Sequence, residues 1–412
     1  MNQEFRINYP IQEHTQLFNQ LPYKEIYIEN TWLLIPKRII KLLHDFIAFK
    51  NLHGSSVEKE VYHSMTEGQL IRRIFEKRAV TFVGSDDSYT LRDGSRGIGH
   101  WEDVGTDYEG GKVILKDYLS YDEIELSAFV SLSCFTPFLN NGSRHNCGSV
   151  VQERQPNGVY IGQIGTRFQK HNHMDYRFMM IDPDQNTREN GYGPDNTSIK
   201  GQFLSLWANF LGVNYFPTHD EAMQDPDKWL GRKPTASQSS IAHLNIEVYR
   251  RRVGINAEVF LKEANDRAQK LNKKAFCHAV GLGLGVWAVD RKLQQHITVE
   301  VHLDILNSSN YDHISHLYFA WFNDVADCDE ISWPNQINGV QIHFGQREPA
   351  EPLEDPNLLL VANWAADANA FVGNEYWDGF LGSSGDPAAA SCSFIAYFGN
   401  PYLCKIDEVH TW

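Results

Sequence analysis

The sequence predicts an α/β protein whose working part is a sheet in the C-terminal half, and four stretches predict it. Leu358-Leu359-Leu360-Val361-Ala362 is a short apolar run directly after Pro356-Asn357, as expected of a strand buried on both faces. Ala275–Val280 is a second such strand and runs into Gly281-Leu282-Gly283-Leu284-Gly285, after which Val286, Val289, Leu293, Ile297 and Val301 step at helical spacing. Ile314–Phe322 and Val340–Phe344 add two strand candidates between them, and strands alternating with helices imply a sheet with helices packed on it.

At 412 residues the chain can form two domains or one elaborated domain, and 42% hydrophobic with 22% charged residues is a globular composition. A formal net charge of -15 argues against a nucleic-acid surface. Six cysteines, at positions 134, 147, 277, 328, 392 and 404, show no CxxC spacing and read as structural thiols in a reducing compartment. The opening residues MNQEFRINYP lack the basic start and apolar core of a secretory signal, and no apolar run reaches membrane-spanning length. The expected location is cytoplasmic, with no membrane partner.

Taken in order, residues 1–150 form a helical and loop-rich N-terminal region. Ile39, Ile40, Leu43, Phe46 and Ile47 mark a core-packing helix after Pro36, while Val80–Gly148 is broken by Gly, Asp and Ser into loops. Residues 151–240 are a mixed segment that can lend strands to the next domain. There, Asn157–Phe168 reads as a turn and strand pairing in a hairpin with Tyr176–Ile181, and one helix lies near Phe203–Leu211. His145, His171 and His173 are not placed with a carboxylate on one element, so no metal site is assigned. Residues 241–412 are the regular part, opening with an amphipathic helix over Asn256–Leu271 that carries Phe260, Ala264, Ala268 and Leu271 on one face.

Two stretches carry chemistry. Glycines at 281, 283 and 285 after a buried strand let backbone N–H groups approach a phosphate or diphosphate, with a helix N-terminus behind them. The pattern is neither GxGxxG with an acidic ribose reader nor GxxxxGK[ST]; the competing reading is that the glycines only allow close packing. The second stretch is the long polar segment after Leu358–Ala362. Asp367, Glu375, Asp378 and Asp386 stand there among Asn363, Asn369, Asn374, Tyr376 and Trp377, offering acceptors for hydroxyls or a cation and aromatic faces for a ring. Asp386 before Pro387 also suits a helix cap, Asp367 a turn, and Glu375 and Asp378 solvated loop charges. No GxSxG elbow supports a serine nucleophile.

His278–Trp287 (HAVGLGLGVW), Val361–Gly379 (VANWAADANAFVGNEYWDG) and Ser384–Ser393 (SGDPAAASCS) together resemble the MavL-like family, and Gly158–Phe168 and Val248–Ala268 extend the likeness. The resemblance implies a macrodomain-like three-layer α/β/α sheet in permuted order, because the GLGLG loop precedes the acid-rich one, with a helical or mixed region before it. It implies an ADP-ribosyl hydrolase that cleaves the N-glycosidic bond of ADP-ribosylarginine on a protein, ubiquitin for the effector member, and no cofactor is expected. An effector would enter a host cell without a signal peptide. Gly281, Leu282, Gly283, Leu284, Gly285 and Val286 would hold the diphosphate, and Asn363 and Asn369 the distal ribose. Gly373, Asn374 and Glu375 would complete the ADP-ribose site, and Asp367, Asp378 and Asp386 would act on the arginine side. The glycine run with paired glutamates of poly-ADP-ribose glycohydrolases is missing, which speaks against a polymer substrate. A non-catalytic ADP-ribose-binding module and a protein-interaction scaffold are the alternatives. A bulky side chain at Gly283 is expected to abolish ADP-ribose binding and leave the fold intact.

Overall fold

The computed structural model describes residues 12–230, 241–326, 332–367, 369–378, 392–401, 406 and 408–412. Its main sheet takes strands from the whole length of the chain. They are β1 (Thr31–Ile35), β2 (Ser131–Pro137), β3 (Asn157–Gln163), β4 (Lys274–Ala279), β5 (Ile314–Ala320), β6 (Gln336–Ile337), β7 (Val340–Gly345), β8 (Leu358–Ala365) and β9 (Val409–Thr411). Their order across the sheet is β6-β7-β5-β4-β8-β3-β2-β1-β9. Strands β7, β5, β4, β8 and β3 run parallel, whereas β2 and β6 run antiparallel to β3 and β7. The fold is therefore mixed α/β.

Alternation along the strands explains why both faces are buried, since successive side chains point to opposite faces. Trp32, Leu34, Val159, Ile161, Leu359 and Val361 join one apolar cluster with Val259, Phe260, Ala264, Val299 and Leu303 of the helices Ile246–Lys270 and Arg291–Ser308. Leu33, Ile35, Tyr160, Leu360, Ala362 and Trp364 face the other way, into a cluster with Phe46 of Ile39–His53 and Trp207 of Ile199–Leu211. Toward β5 and β7 that second face stays partly open, with Phe276, His316, Tyr318 and His343 half-buried. No helix among the described residues is long and apolar enough to cross a membrane.

The strands expected at 275–280, 314–322, 340–344 and 358–362 are all present, as are the helices after Pro36, near Phe203–Leu211 and over Asn256–Leu271. Four expectations are corrected. The first segment is not only helical: Thr31–Ile35, fully buried, forms a strand of the main sheet between β2 and β9. Tyr176 does not lie in a hairpin with β3, because Met174–Met179 is a helix and the short strand Met180–Ile181 pairs with His243–Leu244. The helix after the glycines starts at Arg291, not at Val286. Val286 and Val289 are 97% and 47% exposed, so their helical spacing has no core to face. Instead the Gln294 side-chain carbonyl accepts from the N–H groups of Val289 and Asp290, and Asp290 caps the helix by accepting from Leu293 N–H at 3.1 Å. Finally, Tyr376 and Trp377 offer no faces to a ligand. They are 0% and 1% exposed and pack on Tyr397, which anchors the helix Asn374–Asp378 to the core.

The region 80–97, whose arrangement the sequence did not reveal, is a small three-stranded sheet of Thr81–Val83, Ser88–Thr90 and Arg96–Gly97. It comes after the helix Glu67–Glu76, which a Thr66/Gln69 capping box starts. Ala79 bridges Ala370, and Phe371 N–H donates to Ala79 O at 2.9 Å, so this sheet is docked on the segment leaving β8.

Candidate active site

Because β3, β8 and β4 are adjacent and parallel, the segments leaving them open on one carboxyl edge, the place where open α/β sheets hold ligands. These segments are residues 164–173, 366–373 and 280–290. The first and third interlock through backbone: a Cβ at Gly165 would collide with Gly283 N, and one at Gly283 would meet Thr166 O at 2.6 Å. Gly283 also has φ +74°, a conformation that favours glycine. Gly285 differs, having nothing within 4 Å of where its Cβ would be. Among the described residues, the N–H groups of Gly283, Gly285, Val286 and Trp287 make no hydrogen bond within the protein. The loop is closed by Trp287 Nε1, which donates to Gln169 Oε1 at 2.9 Å.

Residues 164–173 are themselves held by buried charge. Arg167 and Arg252, both 0% exposed, donate through Nε to the two oxygens of Asp175, at 3.0 and 3.1 Å. Arg252 Nη2 donates further to Ile164 O at 2.8 Å, and Arg167 Nη1 to Asn369 Oδ1 at 3.1 Å. Removing Asp175 would leave two buried guanidiniums facing each other, the kind of broken pair that costs about 3–5 kcal/mol.

On the segment leaving β8, Asn369 N–H donates to Asp367 Oδ1 at 3.1 Å in an Asx turn. Burial raises the Asp367 carboxyl above its ordinary range, opposed by that N–H bond and by the guanidiniums of Arg167 and Arg78. Arg78 is itself pushed down to about 10 by burial, with Asp367 opposing the shift. Asp378, on the helix Asn374–Asp378, meets Arg96 Nη2 at 3.0 Å; its side chain is 12% exposed against 63% for Arg96.

A family model described as ADP-ribosylhydrolase MavL-like matches residues 1–407. The chain belongs to the MavL-like family. A Drosophila melanogaster protein named ADP-ribosylarginine hydrolase CG3568 is 35% identical over 396 residues, covering 91% of this chain and 76% of the fly protein. A second fly protein, named ADP-ribosylarginine hydrolase CG2909, is 31% identical over 406 residues, covering 93% and 79%. This MavL-like chain is thus a glycosidic-bond hydrolase, and the likeness reaches well upstream of Gly158 into the region that builds β1 and the small sheet.

In this MavL-like enzyme the residues named from sequence fall into three groups. Gly281–Val286 and Asp367, Asn369, Gly373 and Asn374 lie on the segments leaving β4 and β8, with Gly373 at φ +70° starting the helix that carries Asn374, Glu375 and Asp378. Asn374 keeps a buried Oδ1 without a hydrogen-bond partner among the described residues. Asn363 lies within β8, its amide donating to Gln163 Oε1 at 2.8 Å and Ile161 O at 3.3 Å. Asp386 and the helix start expected there lie outside the described residues.

His145, His171 and His173 gather no cluster of three metal-ligating side chains among the described residues. His171 pairs with Asp182 and His173 packs on Tyr121. The residues that sequence reading missed are Arg78, Arg167, Asp175, Arg252 and Trp321. Trp321 directly follows β5 with φ +68°, and its side chain is 46% exposed. A left-handed, half-exposed tryptophan is an outlier that invites a functional reading. A cavity near the glycine loop, about 70 Å³ between His243, Leu244, Val289, Asp290 and Leu293, is too small for a nucleotide.

Proposed function

We propose that the enzyme hydrolyses the N-glycosidic bond of ADP-ribosylarginine on a protein, with ADP-ribose lying along the carboxyl edge of β5, β4, β8 and β3. The observation that carries this reading is the pairing, on one edge, of a glycine loop with free N–H groups and a segment bearing the half-buried carboxylate Asp367. The N–H groups of Gly283, Gly285, Val286 and Trp287 suit a diphosphate, since consecutive backbone donors form an anion nest. Trp321, at the end of the neighbouring β5, suits an adenine by stacking. Asn374 Oδ1 is a free acceptor for a ribose hydroxyl, while Asn363 and Asn369 shape the floor. The strands 157–365 then correspond to a macrodomain sheet in permuted order, and ubiquitin stands as one candidate carrier of the modified arginine.

Hydrolysis breaks the bond between the anomeric carbon and the guanidine nitrogen. The electron pair leaves with nitrogen, water oxygen bonds to the carbon, and the water proton ends on the leaving guanidine. A carboxylate such as Asp367 orients or deprotonates the water as positive charge grows on the sugar. Asp378 or Asp386 pairs with the guanidinium, a charge-assisted contact that a serine or glutamate linkage does not offer. The test is release of ADP-ribose from proteins modified on Arg, Glu and Ser. Release from arginine alone supports the reading, equal rates on all linkages remove the arginine assignment, and binding of free ADP-ribose without release favours a binding module.

A further inference from the structure

Arg78 comes just after the helix Glu67–Glu76 and is 2% exposed. Its Nε donates to Ile74 O at 3.2 Å, and the guanidinium lies 5.2 Å from the centre of the Phe75 ring. Its Nη2 is buried with no hydrogen-bond partner among the described residues. The next residue, Ala79, is bridged to Ala370, which sets the backbone at Arg78 beside the segment that carries Asp367, and the guanidinium lies within electrostatic reach of that carboxylate. From the other neighbour, Arg167 reaches the same segment through Asn369 Oδ1 at 3.1 Å. A wholly buried guanidinium with an idle donor is costly, and an apolar side chain would fill the same space more cheaply. The charge calls for a role.

We propose that Arg78 is a positioning residue for Asp367: together with Arg167 it keeps that half-buried carboxylate ionised. The inference rests on the reading that Asp367 acts in hydrolysis. The charged groups facing Asp367 are Arg78 from the end of its helix and Arg167 from the segment after β3. Behind Arg167 stand Asp175 and Arg252, with Glu125 also within electrostatic reach of Arg167 and Asp175. Burial already raises the Asp367 carboxyl, so loss of one opposing guanidinium raises it further. The ionised form is then populated only at higher pH, and the acid limb of the rate profile moves upward.

The experiment measures kcat/KM against pH on an ADP-ribosylarginine protein for the wild type, Arg78→Lys, Arg78→Met and Asp367→Asn, with ADP-ribose affinity by calorimetry alongside. Arg78→Met should move the acid limb up by about one pH unit or more. Arg78→Lys, which keeps the charge, should hold the limb near its original place, and ADP-ribose affinity should stay within about twofold for both. A methionine variant whose limb does not move overturns the proposal, as does a lysine variant that shifts as far as methionine. If Arg78→Met does not fold, the lysine profile alone decides, since a limb displaced by a full unit there overturns the role. Asp367→Asn separates the two claims: full activity in that variant sinks the role of Asp367 itself, whereas loss of activity with an unmoved Arg78→Met limb sinks only Arg78.

Discussion

The segments leaving β4 and β8 flank the same edge of the sheet and are built from opposite materials. Residues 280–290 present bare backbone: glycines, free N–H groups that include those of Gly283, Gly285, Val286 and Trp287, and an exposed Val286, held against Thr166 by close contact of main chains. The described residues of 366–378 present side chains, most of them buried, with Arg167 bonded to Asn369 and Arg96 to Asp378. Backbone donors suit a ligand group whose charge is the same before and after reaction. Carboxylates shielded from water suit the place where charge changes. On the proposed placement of ADP-ribose along this edge, the first loop is expected to govern affinity and the second rate.

The largest effect should come from the rate side. Asp367→Asn keeps size and hydrogen bonding but removes the charge, so hydrolysis of an ADP-ribosylarginine protein should fall about a hundredfold or more. ADP-ribose affinity should stay within about twofold, and a parallel loss of affinity in calorimetry would break the division. On the affinity side the informative position is Gly285. Valine there has open space around its Cβ, so it should weaken ADP-ribose binding about tenfold or more by blocking approach to the N–H groups, with the melting temperature unchanged. Gly283→Val cannot serve, against the expectation from sequence. Its side chain would strike the Thr166 backbone in a left-handed conformation, and it should lower stability by about 1–3 kcal/mol with or without ligand.

Trp321→Ala should weaken ADP-ribose binding by about tenfold and leave binding of ribose 5-phosphate untouched, since only the adenine stack is lost. Equal losses for both ligands would place Trp321 elsewhere than under the base. The smallest effect belongs to Arg96→Ala. Its exposed guanidinium lies on Asp378, where the substrate arginine is proposed to bind, and exposed pairs of this kind are weak. Freeing Asp378 should lower KM for the modified protein by no more than about threefold; a rise in KM would mean that Arg96 supports Asp378 and does not compete with substrate for it.

Much of the framework was legible because local patterns report burial. The runs at Leu358–Ala362 and Ala275–Val280 are dominated by apolar residues, and a strand in the middle of a parallel sheet is covered on both faces. Thr31–Ile35 carries the same signal in TWLLI but sits among helical patterns, and only its pairing with β2 and β9, residues distant in the chain, makes it a strand. Val286 and Val289 mislead for the opposite reason: helical spacing records a possible face, and nothing among the described residues covers that face. Tyr376 and Trp377 sit in a polar stretch, where composition suggests ligand contact; a cluster with Tyr397 claims them for the core.

By itself the sequence determined the α/β class, most strands of the main sheet's centre and, through its ordered motifs, the family. These are properties of contiguous residues, whose spacing is set by the chain itself. The tertiary structure decided which charges share a site. Asp367 lies within electrostatic reach of Arg78 and Arg167, Asp378 meets Arg96, and Asp175 ties Arg167 to Arg252, each a juxtaposition that the chain does not encode locally. The physical reason is desolvation: a lone buried charge is so costly that each arginine and carboxylate must find its partner wherever the fold brings one near.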